Sequence, residues 1–175
     1  NDELTVKYGC SCHNNGAPSE RAVVMVTGVP LMYEPSESYQ LTIRVADSLT
    51  LSGGEGNTQA GFLLSSDSIG NFTWQDDQEI RYAEGRPDDV SHSDTDLDGS
   101  WVLTWTAPDD DMGMVQFWIA GNSVDGGGIP DEMDYWNVLS FSVNSPGTIT
   151  TDESGSTLET RTISVGTYDS LFLLE

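Results

Sequence analysis

The sequence is short of positive charge, of cysteine and of long apolar runs, and each shortage excludes something. Six Lys and Arg, with a single lysine at Lys7, face 29 Asp and Glu, which gives a formal net charge of −23 over 175 residues. A surface that grips phosphates needs clustered cations to displace counterions, so nucleic-acid binding of that kind is excluded. No apolar run reaches the roughly 18 residues of a membrane helix, so no membrane span is expected. No Gly-x-Ser-x-Gly elbow occurs and no carboxylate pair stands out among the many acids, so no enzyme is expected. The run Gly126-Gly127-Gly128 lacks the following lysine or helix that would cradle phosphate, and reads as a flexible connection.

What remains is β in character. Segments rich in Val, Ile, Phe, Trp and Thr recur at 22–27, 39–46, 61–65, 70–74, 100–106, 114–122 and 135–143, between clusters of Gly, Pro, Asp and Ser. Tyr39, Leu41, Ile43 and Val45 share one strand face, as do Trp101, Leu103 and Trp105, and Val115, Phe117 and Ile119. Seven such strands with no amphipathic helix predict an all-β fold, an immunoglobulin-like antiparallel sandwich, with a jelly roll as the alternative. The expected organisation is an N-terminal segment over 1–21, the sandwich over 22–143, a solvated linker over 144–157 and a β-like tail over 158–175. The tail ends in Leu171-Phe172-Leu173-Leu174 and must bury its apolar side chains somewhere. It either adds strands to its own sandwich or lends a strand to a neighbouring copy, and the second arrangement would build an open homopolymer. Strong like charge opposes such self-association, so a filament should depend on salt or divalent ions.

The chain opens Asn1-Asp2-Glu3-Leu4, with neither an initiator methionine nor a basic and apolar leader. The expectation is therefore an exported protein from which a signal peptide has been removed, placed at the cell exterior by its excess of Asp, Ser, Thr and Gly. The one Asn-x-Ser/Thr sequon, Asn71-Phe72-Thr73, permits glycosylation in that setting.

The most specific local feature is Gly9-Cys10-Ser11-Cys12-His13, which gathers both cysteines and one of the two histidines. Cys-x-x-Cys-His is the attachment signature of c-type haem: two thiols bond the vinyl groups and the adjacent imidazole ligates iron. The spacing here is one residue shorter, which strains two-thioether attachment or leaves a single thioether. A small Cys10–Cys12 disulfide, a copper or zinc site, and two free thiols are the competing readings. His92 is the other histidine and so the candidate second axial ligand, its alternative being an ordinary loop histidine. Met25, Met32, Met112, Met114 and Met133 are the fallback ligands. A second motif, Asp94-Thr95-Asp96-Leu97-Asp98-Gly99, is the first half of a calcium loop in which Asp94, Asp96 and Asp98 would converge on one cation. Its closing glutamate is missing, and a solvated acidic turn competes with calcium. Asp109-Asp110-Asp111 and Asp131-Glu132-Met133-Asp134 read as acidic turns.

Taken in order, the Cys10-Ser11-Cys12-His13 start, Val29-Pro30, Tyr33-Glu34-Pro35, Gly61-Phe62-Leu63-Leu64, His92, Trp101–Pro108 and Phe117–Asn122 resemble a reeler-like surface domain. The resemblance is to the choice-of-anchor kind found in exported prokaryotic proteins, and it spans residues 9–143. It implies an immunoglobulin-like sandwich, an extracellular location and, for members opening with Cys-x-x-Cys-His, haem c. The family's anchor is replaced here by the β-like tail, which favours the polymer. The expected protein is thus an extracellular carrier of one haem c, held by Cys10, Cys12, His13 and His92. It would act in electron transfer, with its redox partner unassigned and its subunits linked into a filament. The alternative is a purely structural surface or filament protein stabilised by calcium.

Overall fold

In β2 (Ser38–Asp47) the side chains of Leu41, Ile43 and Val45 are buried while Gln40 and Arg44 are exposed. β7 (Ser100–Thr106) buries Trp101, Leu103 and Trp105, and β8 (Val115–Val124) buries Val115, Phe117 and Ile119, as strand periodicity requires. The computed structural model describes residues 10, 13–94, 98–145, 147 and 160–166. Among them ten strands make two five-stranded antiparallel sheets. The first runs β10 (Thr160–Val165), β1 (Ala22–Pro30), β2, β7, β4 (Asn71–Thr73). The second runs β5 (Ile80–Ala83), β6 (Arg86–His92), β3 (Gln59–Ser65), β8, β9 (Tyr135–Val143).

The inward side chains of the two sheets form one core. Trp105 of the first sheet meets Phe117 of the second edge to face, with centroids 5.0 Å apart, and Phe117 stacks on Phe141 at 5.0 Å. Each fully buried side chain of this size contributes about 1.5–3 kcal/mol of transfer free energy. Gly28, at φ +82°, sits where the β1–β10 register shifts between Val26 and Val29; a Cβ there would lie 2.1 Å from the Gln40 carbonyl oxygen. Only glycine lets the two backbones approach so closely.

The sandwich agrees with the sequence expectation; the strand inventory is larger. β5 and β6 lie in the stretch between the expected strands 70–74 and 100–106, where the sequence offers no strand signal. Only Val90 of β6 reaches the core, and Pro87 is exposed, so the segment has little apolar signal. Its buried Asp89 is balanced by Arg86 at 3.0 Å. β10 lies in the tail expected to be β-like, and it pairs antiparallel with β1 of the same chain from Val24↔Val165 to Pro30↔Thr160. Ile163 and Val165 pack against the core, and Arg161 donates to the Ser142 carbonyl on β9, so β10 bridges the edges of both sheets on that side. The apolar run 171–174 lies outside the described residues.

A buried carboxylate ties together the elements beneath one end of the sandwich. Asp47 is fully buried; it accepts from the Leu49 amide at the start of α1 (Ser48–Leu51), from the Asn57 amide, and from Arg21 Nε and Nη2. Arg21 in turn stacks on Tyr135, 4.0 Å above the ring. The Asn57 side chain donates to the carbonyls of Ser123 and Met133, which fixes the loop between β8 and β9. At the end of the sandwich where β9 finishes, Asp111 accepts from the Gly113 and Gly147 amides. The Gly113 bond, followed by that of Ser145, holds its carboxyl below the usual range.

Candidate functional site

The histidine of the Cys-x-Cys-His motif is docked on the sandwich at the β8–β9 loop. Its amide donates to the Cys10 carbonyl at 2.8 Å, and its own carbonyl accepts from Trp136 Nε1 at 3.2 Å. The next amide, that of Asn14, donates to the Asp131 carbonyl at 2.8 Å. With the backbone gripped before, at and after residue 13, the imidazole meets the loop in one orientation. Its Nδ1 lies 2.7 Å from Asp134 Oδ2. A carboxylate oxygen only accepts, so Nδ1 carries a proton, and in the neutral imidazole Nε2 then carries the lone pair. Among the described residues Nε2 has no hydrogen-bond partner.

Asp134 is itself 3% exposed. Besides His13, its carboxylate accepts from the Asp131 amide and the Asp125 amide, each at 3.3 Å. Those bonds exist because the loop folds on itself: Asp131 Oδ1 accepts from the Met133 amide and Asp125 Oδ1 from the Gly127 amide, each at 2.7 Å. Beside the pair lies a hollow of about 300 Å³ whose walls are His13, Gln59, Val124, Ile129, Pro130 and the three glycines 126–128. Its lining is mostly apolar, and Ile129 at its rim is largely exposed. A histidine that donates Nδ1–H to a buried carboxylate and leaves Nε2 open has the arrangement of a metal-ligating imidazole with its supporting shell.

His92 ends β6, two strands away. Its ring takes the place the β6 backbone would occupy beside Phe62: Nδ1 is 3.0 Å from both the amide nitrogen and the carbonyl oxygen of that residue. Gly61 makes room, since a Cβ on it would lie 2.5 Å from Cε1 and 2.6 Å from Nε2. The ring also leans on Trp101, with centroids 6.4 Å apart. Among the described residues no contact joins His13 to His92, and the groups named around each are different. The structure therefore does not bring the two histidines together.

The remaining candidates are placed as follows. Cys10 is half-buried, and Cys12 lies outside the described residues. Asp94 follows β6, and Asp98 lines a second hollow of about 400 Å³ with Arg44, Thr50 and Asn57; Asp96 lies outside the described residues. Among the described residues no group of three or more His, Cys, Asp or Glu is placed to hold a metal ion. Asp134 escaped the sequence reading because it stands 121 residues from His13, inside a segment that looks like any acidic turn.

No family model matches this sequence, and no curated protein matches it. Solved structures do. The Reelin-N domain of F-spondin superposes with a TM-score of 0.52 at 20% identity, over 73% of this chain and 88% of that one. Two structures of the human F-spondin reeler domain give 0.49 at 16% identity and 0.47 at 17%, each over 74% of this chain and 91% and 90% of theirs. The fold is thus reeler-like. No helix among the described residues is long and apolar enough to cross a membrane.

Proposed function

We propose that this chain is an extracellular, non-enzymatic β-sandwich that carries a c-type haem on Cys10, Cys12 and His13 and acts in electron transfer. The observation that carries the reading is the His13–Asp134 pair: the motif's imidazole is clamped to the fold by a buried carboxylate at 2.7 Å, with Nε2 left to a ligand. An unused histidine in a loose N-terminal segment has no need of such a clamp. The adjoining hollow supports the reading too, because Val124, Ile129 and Pro130 offer an apolar wall to a flat apolar ligand. A haem so held supplies a one-electron couple. The residues of this chain tether it through sulfur, present one nitrogen and shield one side from water. His92 takes a structural part in this proposal. The exterior location draws on the reeler-like fold and on the composition.

The C-terminal strand supplies the means of assembly. Sixteen residues, 144–159, separate the end of β9 from the start of β10. Extended, they reach about 50 Å, farther than the width of a domain this size, so the strand that seals β1 here can seal β1 of a neighbouring copy.

Two measurements test the proposal. Intact mass and the visible spectrum of the protein purified from a haem-maturing secretory host should show an added haem and a Soret band, both lost in the Cys10→Ala/Cys12→Ala chain. A colourless protein with the mass of the bare chain overturns the haem reading. If EDTA then lowers its melting temperature, the calcium-stabilised structural alternative stands instead. For assembly, deleting residues 147–175 should leave a folded monomer that no longer multimerises; a chain that unfolds on deletion uses β10 only in its own sandwich.

A further inference from the structure

We infer that Asp134 is the positioning residue of the His13 ligand: its carboxylate fixes the Nδ1–H tautomer, leaves Nε2 as the ligating nitrogen, and lowers the reduction potential of the ion bound there. This rests on the haem reading above, and deepens it.

The charge environment of Asp134 carries the inference. The described residues include three acid–base pairs, and in two of them a buried aspartate meets a guanidinium: Asp47 with Arg21 and Asp89 with Arg86. An arginine is permanently charged, so those two carboxylates are neutralised inside the fold. Among the described residues Asp134 has no such partner: its one side-chain partner there is His13, and the Asp125 and Asp131 amides add two backbone donors. The negative charge is therefore held, nearly dry, one imidazole away from the ligand position. A carboxylate there draws the Nδ1 proton toward itself and makes Nε2 a stronger donor. The oxidised, more positive state of the ion gains more from this than the reduced state, so the potential falls.

The backbone grip on residue 13 removes the alternative in which the ring simply turns. Trp136 Nε1 holds the His13 carbonyl and the Asp131 carbonyl holds the Asn14 amide. Turning the ring away would leave Asp134 buried with weak backbone contacts alone, a costly state for a charge.

The test has two arms. In the first, Asp134→Asn in the haem-loaded full chain keeps the size and one acceptor oxygen but removes the charge. The ratio of reduced to oxidised protein at a fixed potential should rise at least tenfold, a shift of 59 mV for one electron. Asp110→Asn, which removes one exposed carboxylate that takes no part in holding His13, should leave the ratio within twofold. A potential unchanged in Asp134→Asn, or moved equally by Asp110→Asn, overturns the inference. The second arm needs neither haem nor a change at Asp134. In the Cys10→Ala/Cys12→Ala chain at a pH where imidazole is neutral, the ¹⁵N shifts of His13 should show the Nδ1–H tautomer in more than nine-tenths of molecules, against its minority share in free histidine. A majority of Nε2–H would overturn the inference even if Asp134→Asn failed to fold. A colourless wild-type protein would instead sink the haem reading and leave the tautomer measurement to stand by itself.

Discussion

His13 and His92 both turn Nδ1 toward the protein, and what Nδ1 meets there separates them. His92 faces the peptide backbone of Phe62 and lies on Gly61, so its ring replaces a missing stretch of strand. His13 faces a buried carboxylate that no arginine neutralises, beside a hollow. A ring that fills a gap in a sheet is judged by the packing it completes. A ring held by an unbalanced charge is judged by what its second nitrogen can bind. The same residue type, in the same chain, thus completes the fold in one place and, in the function proposed above, presents a ligand nitrogen in the other.

That division predicts unequal outcomes, the largest at Gly61. Gly61→Val forces side-chain atoms into the space of the imidazole, at a cost of about 3 kcal/mol in a denaturant titration. In a His92→Ala background the valine fills the space the ring has left. The double variant should therefore be more stable than the sum of the two single effects by about 1 kcal/mol or more. Strict additivity would mean that the ring does not occupy that space.

Next comes His92→Ala by itself. It leaves the Phe62 amide without its acceptor while the Phe62 carbonyl keeps the Ser91 hydroxyl, and should cost about 2 kcal/mol of stability. The haem spectrum and spin state should not move, because His92 stands apart from His13. A changed spin state would return His92 to the iron and break the comparison.

The sequence made the fold readable wherever strands face the core on one side only. Leu41, Ile43 and Val45 in β2, and Trp101, Leu103 and Trp105 in β7, alternate because one face packs and the other is wet. β6 was hidden for the opposite reason: it is held by neighbours on both sides and contributes a single core side chain, so charge and proline mask it. At the site, His13 was visible because the two cysteines sit beside it. Asp134 was not, because a carboxylate in an acidic loop differs from its neighbours only by its burial, and burial is a property of the folded chain. The choice of Nδ1 as the proton-bearing nitrogen likewise depends on a pair that only the packing of residues 13–16 against the β8–β9 loop creates.

The smallest effect on stability belongs to His13, and it sharpens the comparison most. Its side chain is 21% exposed, so water can take the place of the deleted ring beside Asp134, and His13→Ala should cost only about 1 kcal/mol. Function should respond in the reverse order. The iron would lose its protein nitrogen while any thioether persists, so the pigment should remain attached yet turn high-spin or bind added imidazole. Supplying imidazole to the variant tests this directly, because a free ligand can restore the low-spin spectrum but cannot restore the bond to Asp134. The rescued protein should therefore regain its colour and still show the raised potential expected of Asp134→Asn. If the wild-type potential returned together with the spectrum, the carboxylate would be a bystander and His13 would need no more support than His92 receives from the backbone.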